Sequence, residues 1–112
     1  MVSFKLYCLD NSELAQYESR SKGYREDIYI YVNGDYYNVC AYDIIRLTQD
    51  FESEFEHYGF FSIEPNLILV KEVTLNAIKE TIRLLLTDTR YFEKIKTVDI
   101  SKINLEELKQ LL

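Results

Sequence analysis

The chain contains 112 residues with a formal net charge of −6, and 47% of its residues are hydrophobic. This length corresponds to one domain, and the apolar content is typical of a folded soluble protein rather than a disordered one. Proteins bind phosphates with clustered lysine and arginine. The acidic balance therefore argues against nucleic acid or an anionic membrane as a direct ligand.

The two cysteines, Cys8 and Cys40, do not make the disulfide framework of a small secreted protein. Each lies in an apolar run typical of a strand, so we expect two free, buried thiols. The first ten residues do not resemble a signal peptide. The longest apolar segments, 67–70 and 84–86, are far too short to span a bilayer. We therefore expect a cytoplasmic protein that does not contact a membrane.

The beginning of the chain predicts a strand followed by a short helix. Apolar and polar residues alternate at the start of residues 2–9, which is the pattern of a half-buried strand. The sequence Asp10-Asn11-Ser12 offers a helix cap before residues 13–17. The polar run 18–25 that follows is interpreted as a loop.

Asn33-Gly34, between two runs typical of strands, is the strongest local signal. A type I′ turn requires positive φ at both central positions, which asparagine and glycine tolerate. Residues 27–32 and 35–42 are therefore predicted to form a hairpin. Because the loop has two residues, the register is fixed, with Tyr31 opposite Tyr36.

This register gives the hairpin two chemically different faces. One face should meet the core and carries Ile28, Ile30, Val32, Tyr37, Val39 and Ala41. The other face carries Tyr29, Tyr31, Tyr36, Asn38, Cys40 and Tyr42. This aromatic face is either a second packed layer or a surface.

An acidic amphipathic helix is predicted after the hairpin. Asp43 is a suitable N-cap, and Gly59 is a suitable C′ residue for a helix that ends at about Tyr58. The apolar residues recur at spacings of three and four and form one stripe: Ile44, Leu47, Phe51, Phe55 and Tyr58. The acids project to both sides of the stripe, Glu52 and Glu56 to one side, Asp50 and Glu54 to the other.

A second hairpin is predicted from strands at 60–63 and 67–73 around the turn Glu64-Pro65-Asn66. Thr74 then caps a second main helix. Its apolar stripe is Leu75, Ile78, Ile82, Leu85 and Leu86. Asp88-Thr89 either ends this helix or starts a further helical turn.

Residues 96–100 are interpreted as a short strand, and Asn104 as the cap of a last helix over 105–112. The sequence shows no internal repeat or linker. We therefore predict a single α+β domain over residues 1–112: an antiparallel sheet with two main helices and a short C-terminal helix.

No group of residues in the sequence matches a catalytic or cofactor-binding pattern. His57 is the only histidine, and without a nearby cysteine it does not make a usual zinc site. Gly23, Gly34 and Gly59 are isolated, so there is no glycine-rich phosphate loop. A Cys40–His57 pair is a minor alternative that no local motif marks. We expect a protein that is not an enzyme and has no catalytic residues, cofactor or metal.

Negative charge and tyrosine lie on adjacent segments. Residues 43–72 contain seven acids and two bases, a local net charge of −5 within a total of −6. Taken separately, the acids are interpreted as a solvated helix face, and the tyrosines are interpreted as a packed layer of the sheet. Read together, they favour a surface that binds a basic protein. The predicted contact residues are Tyr29, Tyr31, Tyr36, Asp50, Glu52, Glu54 and Glu56.

The order of these elements resembles the immunity proteins of bacterial polymorphic-toxin and contact-dependent growth inhibition systems, which are small, acidic, non-catalytic α+β domains. The resemblance rests on the hairpin 26–42, the acidic helix 43–58, the strands within 60–73 and the helix 74–86. It implies a stoichiometric inhibitor that covers the active site or substrate groove of a cognate toxin domain, often a nuclease. The acids would then stand in for phosphates.

Two other functions fit the same sequence. One is a phage or host regulator that inhibits a nucleic-acid enzyme. The other is a structural module that forms a homodimer by pairing its tyrosine face with a second copy.

Overall fold

The computed structural model describes residues 3–87 and 90–111. The strands are β1 (Phe4–Cys8), β2 (Tyr24–Val32), β3 (Asp35–Tyr42), β4 (Leu67–Leu69) and β5 (Lys109–Gln110). The helices are α1 (Glu13–Lys22), α2 (Ile44–Tyr58), α3 (Leu75–Thr87) and the short α4 (Tyr91–Lys94). The strands form one sheet in the order β4-β3-β2-β1-β5. The predicted α+β fold is confirmed.

The central hairpin has the predicted turn and register. Asn33 and Gly34 have φ angles of 53° and 85°, the left-handed conformations that a type I′ turn needs. Tyr31 lies opposite Tyr36 as expected. β2 is longer than predicted, since it begins at Tyr24 and passes through an irregularity in register between residues 25 and 28.

The core lies on the aliphatic side of the sheet, which we call the inner face. All six hairpin residues predicted to meet the core are buried. α3 packs against them through Ile78, Ile82 and Leu86. Its predicted cap is also confirmed, because Thr74 Oγ1 accepts a hydrogen bond from the backbone N–H of Ala77 at 3.1 Å.

One edge of the sheet differs from the prediction, because β4 runs parallel to β3 and the sheet is therefore mixed. The predicted second hairpin is wrong, and residues 60–63 form no strand. Parallel neighbours need a long crossover, which here contains α2. Asn66 secures this edge of β3. Its backbone oxygen accepts from the Cys40 N–H at 3.0 Å, and its side-chain amide donates to the Asn38 carbonyl at 3.0 Å.

The loop predicted at residues 18–25 is also wrong, since these residues complete α1 and begin β2. Ser12 caps α1 by accepting from the backbone N–H of Ala15 at 3.1 Å, and Gly23 ends it with a φ of 76°. Ser19 is the one buried residue of this helix. A helix that buries so little needs no apolar stripe, which is why its periodicity is invisible in the sequence.

The C-terminal region contains neither the predicted strand at 96–100 nor the predicted helix at 105–112. Asn104 does act as a cap, accepting from the Glu106 N–H at 3.1 Å, but the helical segment is a single 3₁₀ turn, Leu105–Glu107. The following residues pair with β1 as β5, and Leu111 N–H donates to the Leu6 carbonyl at 2.7 Å. Asp88, Thr89 and Leu112 lie outside the described residues, as does Val2 at the start of the first predicted strand.

Candidate protein-binding surface

The helix α2 has an apolar stripe that does not reach the core. None of its 15 residues is buried. Tyr58 is 69% exposed, Phe55 56% and Phe51 48%, and only Leu47 of the predicted stripe is half-buried. Asp43 caps the start of the helix and Gly59 follows its end as predicted, so the predicted bounds of the helix are confirmed. The apolar stripe of α2 is therefore not the side through which the helix contacts the sheet.

The outward side of α2 is called the aromatic face here and consists of Ile44, Phe51, Phe55 and Tyr58. The rings of Phe51 and Phe55 stack with their centroids 5.8 Å apart and their planes 26° apart. Two further exposed apolar residues lie in the segment after α2, Phe60 at 63% exposure and Ile63 at 55%. Sequence reasoning assigned these two to a strand, although an apolar run after a C′ glycine is also compatible with an exposed loop.

Polar contacts hold α2 against the sheet. Asp50 accepts from the Tyr42 hydroxyl at 2.7 Å through Oδ2 and from Arg46 Nε at 2.9 Å through Oδ1. The Arg46 guanidinium also lies 4.3 Å from the centre of the Tyr24 ring, a cation–π contact. Burial, followed by the hydrogen bond and charge of Asp50, raises the pKa of Tyr42. Past Asp50, no hydrogen bond or ion pair among the described residues links α2 to another element.

The start of α2 is joined to the end of α1. The backbone N–H of Asp43 donates to the Gly23 carbonyl at 2.9 Å, while Asp43 Oδ1 accepts from the Arg46 N–H at 2.8 Å. A Cβ atom on Gly23 would lie 2.6 Å from that same Oδ1. The left-handed glycine therefore provides the space in which the capping carboxylate sits.

The four predicted acids of α2 fall into two groups. Asp50 neutralises Arg46 and holds Tyr42, so its charge is used within the domain. Glu52 and Glu56 are exposed and Glu54 is half-buried, and none of the three takes part in an ion pair between described residues. The uncompensated negative charge of α2 is therefore concentrated at these three glutamates.

The predicted tyrosines lie on the outer face of the sheet, opposite the core. Tyr29, Tyr31 and Tyr36 are all half-buried, and the rings of Tyr31 and Tyr36 are 4.7 Å apart. Tyr7 of β1, which sequence reasoning did not include, lies 6.2 Å from Tyr36. We call these four residues the tyrosine ladder. Burial, and then the neighbouring Tyr7 and Tyr31, raises the pKa of Tyr36.

The missing fourth tyrosine was visible in the alternation of β1. Phe4, Leu6 and Cys8 point inward, so the pleat places Tyr7 on the other side. What the sequence does not give is the pairing of β1 with β2, which sets Tyr7 opposite Tyr29.

The tyrosine ladder and α2 occupy the same side of the sheet. Side chains alternate along β3, so Tyr36, Asn38, Cys40 and Tyr42 share the outer face. Tyr36 belongs to the ladder at one end of this row, and Tyr42 binds α2 at the other end. Of the predicted acids, Asp50 is thus joined to the outer face that carries the tyrosine ladder.

The thiols and the histidine show no activated pair. Burial, followed by the charges of Glu26 and Asp50, raises the pKa of Cys40 to about 12. A thiol with this pKa is protonated at neutral pH and is a poor nucleophile. His57 Nδ1 instead lies 2.8 Å from the Ser53 carbonyl within α2. Among residues 3–87 and 90–111, no three His, Cys, Asp or Glu side chains converge as metal ligands.

The edge of β3 carries a separate cavity of about 480 Å³. It is lined by Asn38, Pro65, Asn66, Ile95, Lys96 and Val98, among others. The backbone N–H of Val98 donates to the Tyr36 carbonyl at 2.8 Å beside it. Its lining brings together amides, apolar groups, two lysines and Glu64, and no hydrogen bond or ion pair among the described residues joins Glu64 to either lysine.

No protein-family model, curated protein or solved structure matches this chain. None of the helices in the described part of the chain has the length and apolar character needed to cross a bilayer.

Proposed function

We propose that this chain is a non-catalytic inhibitor that binds and neutralises a basic protein, a toxin domain, as immunity proteins do. The observation that carries the proposal is the aromatic face of α2, which is left in water beside three uncompensated glutamates. Exposed apolar patches rimmed by polar residues mark protein interaction sites. Large aromatic side chains supply most of the binding free energy at such sites.

The charge of this surface supports a basic partner. Glu52, Glu54 and Glu56 would attract lysine and arginine during diffusional encounter and so raise the association rate constant. A nuclease groove that holds a phosphate backbone has this basic character. Carboxylates on α2 would occupy the positions of phosphates there.

The tyrosine ladder, on the face of the sheet that α2 contacts through Tyr42, would supply further anchors. Tyr29, Tyr31 and Tyr36 are half-exposed phenols on a rigid sheet, so little side-chain entropy is lost when they are covered. Asp50, in contrast, would not contact the partner, because its carboxylate is bonded to Tyr42 and Arg46 and holds α2 in place. We place the interaction in the cytoplasm, since the two free cysteines fit a reducing compartment.

The proposal is tested by using the purified domain as bait to capture a binding protein from its native cytosol. The activity of the captured protein is then measured while increasing amounts of the domain are added. Neutralisation predicts that activity falls to zero at one equivalent of the domain, because an inhibitor of this kind is consumed by binding. Inhibition at far lower ratios would indicate turnover and would contradict a non-catalytic role. A captured protein whose activity is unchanged by the domain would contradict neutralisation.

The electrostatic part is tested by the double variant Glu52→Lys with Glu56→Lys. We expect association with the captured protein to slow by about tenfold or more at low salt, with a smaller change in dissociation. The matched control is Glu106→Lys with Glu107→Lys, which makes the same charge change in the exposed 3₁₀ turn near the C-terminus. Equal effects of the two double variants would mean that only net charge matters.

A further inference from the structure

The aromatic face of α2 has the spacing with which one helix receives another. Ile44, Phe51, Phe55 and Tyr58 recur at intervals of seven, four and three residues, so they form a ridge along one side of the helix. The backbone groups of α2 are bonded within the helix, and it therefore offers no edge to which a strand could add. A side-chain ridge of this period is complementary to an amphipathic helix.

The borders of this ridge are negative on both sides. Glu52 and Glu56 lie on one side, and Glu54 lies on the other, next to the half-buried Leu47. The one arginine of α2, Arg46, is turned toward the sheet and is bound by Asp50 and Tyr24. A complementary helix would therefore carry apolar residues along its centre and lysine or arginine on both flanks.

From these observations we infer that the aromatic face of α2 is the docking site for a basic amphipathic helix of the partner protein. This inference rests on the proposed function and names the element of the partner that is bound. Phe51, Phe55 and Tyr58 are the apolar anchors. Glu52, Glu54 and Glu56 pair with the flanking cations and set the orientation of the bound helix.

The charges also exclude the two other simple occupants of the face. A second copy of α2 would bring Glu52 and Glu56 toward glutamates of the same sign, which opposes self-association. An anionic bilayer would repel the same three side chains. A positively charged helix is the occupant that gains from both the apolar centre and the acidic borders.

The inference is tested with three synthetic peptides and the intact domain. The first is an amphipathic helix with leucine along its centre and lysine on both flanks. The second has the same composition in scrambled order, and the third has glutamate in place of lysine. Binding is measured by fluorescence anisotropy, and the contact site is mapped by chemical-shift changes of backbone amides.

We expect the first peptide to bind at least about tenfold more tightly than the scrambled one, because the apolar ridge and the charges act together. The glutamate peptide should not bind. Chemical-shift changes should be centred on residues 51–58. Equal binding of the lysine peptide and its scrambled form would overturn the inference, since charge alone would then account for both.

The variant Phe55→Ser should weaken binding of the lysine peptide by about tenfold or more. The matched control is Tyr17→Ser, which removes an aromatic side chain that is 69% exposed on α1. Both residues are solvent-exposed, so both variants should fold. An unchanged affinity of Phe55→Ser, or dimerisation of the wild-type domain that Phe55→Ser abolishes, would overturn the inference.

Failure of this inference can be told apart from failure of the proposed function. If a captured protein is neutralised equally well by wild type and by Phe55→Ser, the inhibitor function is supported and helix docking on α2 is contradicted. If the lysine peptide binds α2 but no captured protein is inhibited, the docking surface is supported and neutralisation is contradicted.

Discussion

The helices α2 and α3 have similar lengths, 15 and 13 residues, and both carry apolar side chains at helical spacing. α3 buries Ile78, Ile82 and Leu86 in the core. α2 buries none of its residues. The comparison shows that apolar periodicity identifies a helix with an apolar side, but does not identify what that side contacts.

The two faces of the sheet explain the difference. The inner face offers close-packed aliphatic side chains such as Ile28, Ile30 and Val39, which an apolar helix covers without losing hydrogen bonds. The outer face offers phenol hydroxyls, which need polar partners. α2 therefore meets it with Arg46 and Asp50, and its aromatic side turns away from the sheet.

The largest expected effect that separates the two helices is on stability. Ile82→Ala should lower the free energy of unfolding by about 3 kcal/mol, because it removes buried methyl groups and leaves a cavity. Phe55→Ala on α2 should change the same quantity by less than about 0.5 kcal/mol. Urea denaturation monitored by circular dichroism measures both. A loss of similar size in the two variants would mean that α2 is packed like α3.

A smaller effect is expected where α2 joins α1. Gly23→Ala should cost about 2 kcal/mol, since alanine is strained at positive φ and its Cβ would displace the Asp43 carboxylate. Gly34→Ala is the matched control: its φ is 85° and its Cβ would meet no atom within 4 Å. That variant should cost about 1 kcal/mol from strain alone.

Amide hydrogen exchange then tells where the extra cost of Gly23→Ala arises. Exchange should become faster in the first turns of α2, while α3 should keep its protection. Equal stabilities of the two glycine variants would show that the Asp43 cap contributes nothing to holding α2.

The smallest effect is a change in pH dependence at the contact between α2 and the sheet. Tyr42→Phe should cost about 1 kcal/mol at neutral pH through the lost hydrogen bond to Asp50. The folded pKa of Tyr42 is raised above its ordinary value of 10.0. Its contribution to stability is therefore present below about pH 10 and is lost as the pH rises further.

The stability difference between wild type and Tyr42→Phe should accordingly shrink between neutral pH and about pH 11. Urea denaturation at the two pH values measures it. Tyr58→Phe removes an exposed hydroxyl from the same helix and serves as the control. It should have the stability of wild type at both pH values. A difference that grows with pH would contradict a neutral Tyr42 in the folded protein.

The sequence predicts elements well where a local rule decides the conformation. Asn33-Gly34 determines the hairpin and its register, because positive φ is accessible to both residues. Asp43 and Gly59 determine the ends of α2, since a cap needs only its own first or last turn. These predictions required no knowledge of distant contacts.

The sequence fails where pairing between distant segments decides the conformation. β4 lies within the strand predicted at 67–73, but its parallel pairing with β3 was not predicted. β5 has two residues, too few for an alternation pattern. The conformation of both strands comes from the edges of β3 and β1 that they cover. Residues 105–111 show an apolar spacing that a short helix shares, but they form one 3₁₀ turn, Leu105–Glu107, and then pair with β1.

The candidate site was only partly predictable for the same reason. Tyr29, Tyr31 and Tyr36 follow from the hairpin register, and Glu52 and Glu56 follow from the helix period. Tyr7 required the pairing of β1 with β2. The exposure of Phe51 and Phe55 required knowing that the outer face is phenolic and that α2 meets it with polar side chains.

The contact between Gly23 and Asp43 has a mechanical consequence. α2 extends about 21 Å from Ile44 to Tyr58, and its ties to other elements lie within its first two turns. A tilt of about 10° at this pivot would swing Tyr58 through about 4 Å, roughly half a helix diameter or less. A substitution at Gly23 that displaces the Asp43 carboxylate would thus shift the far end of α2, and Tyr58 with it, although Gly23 itself lies at the other end of the helix.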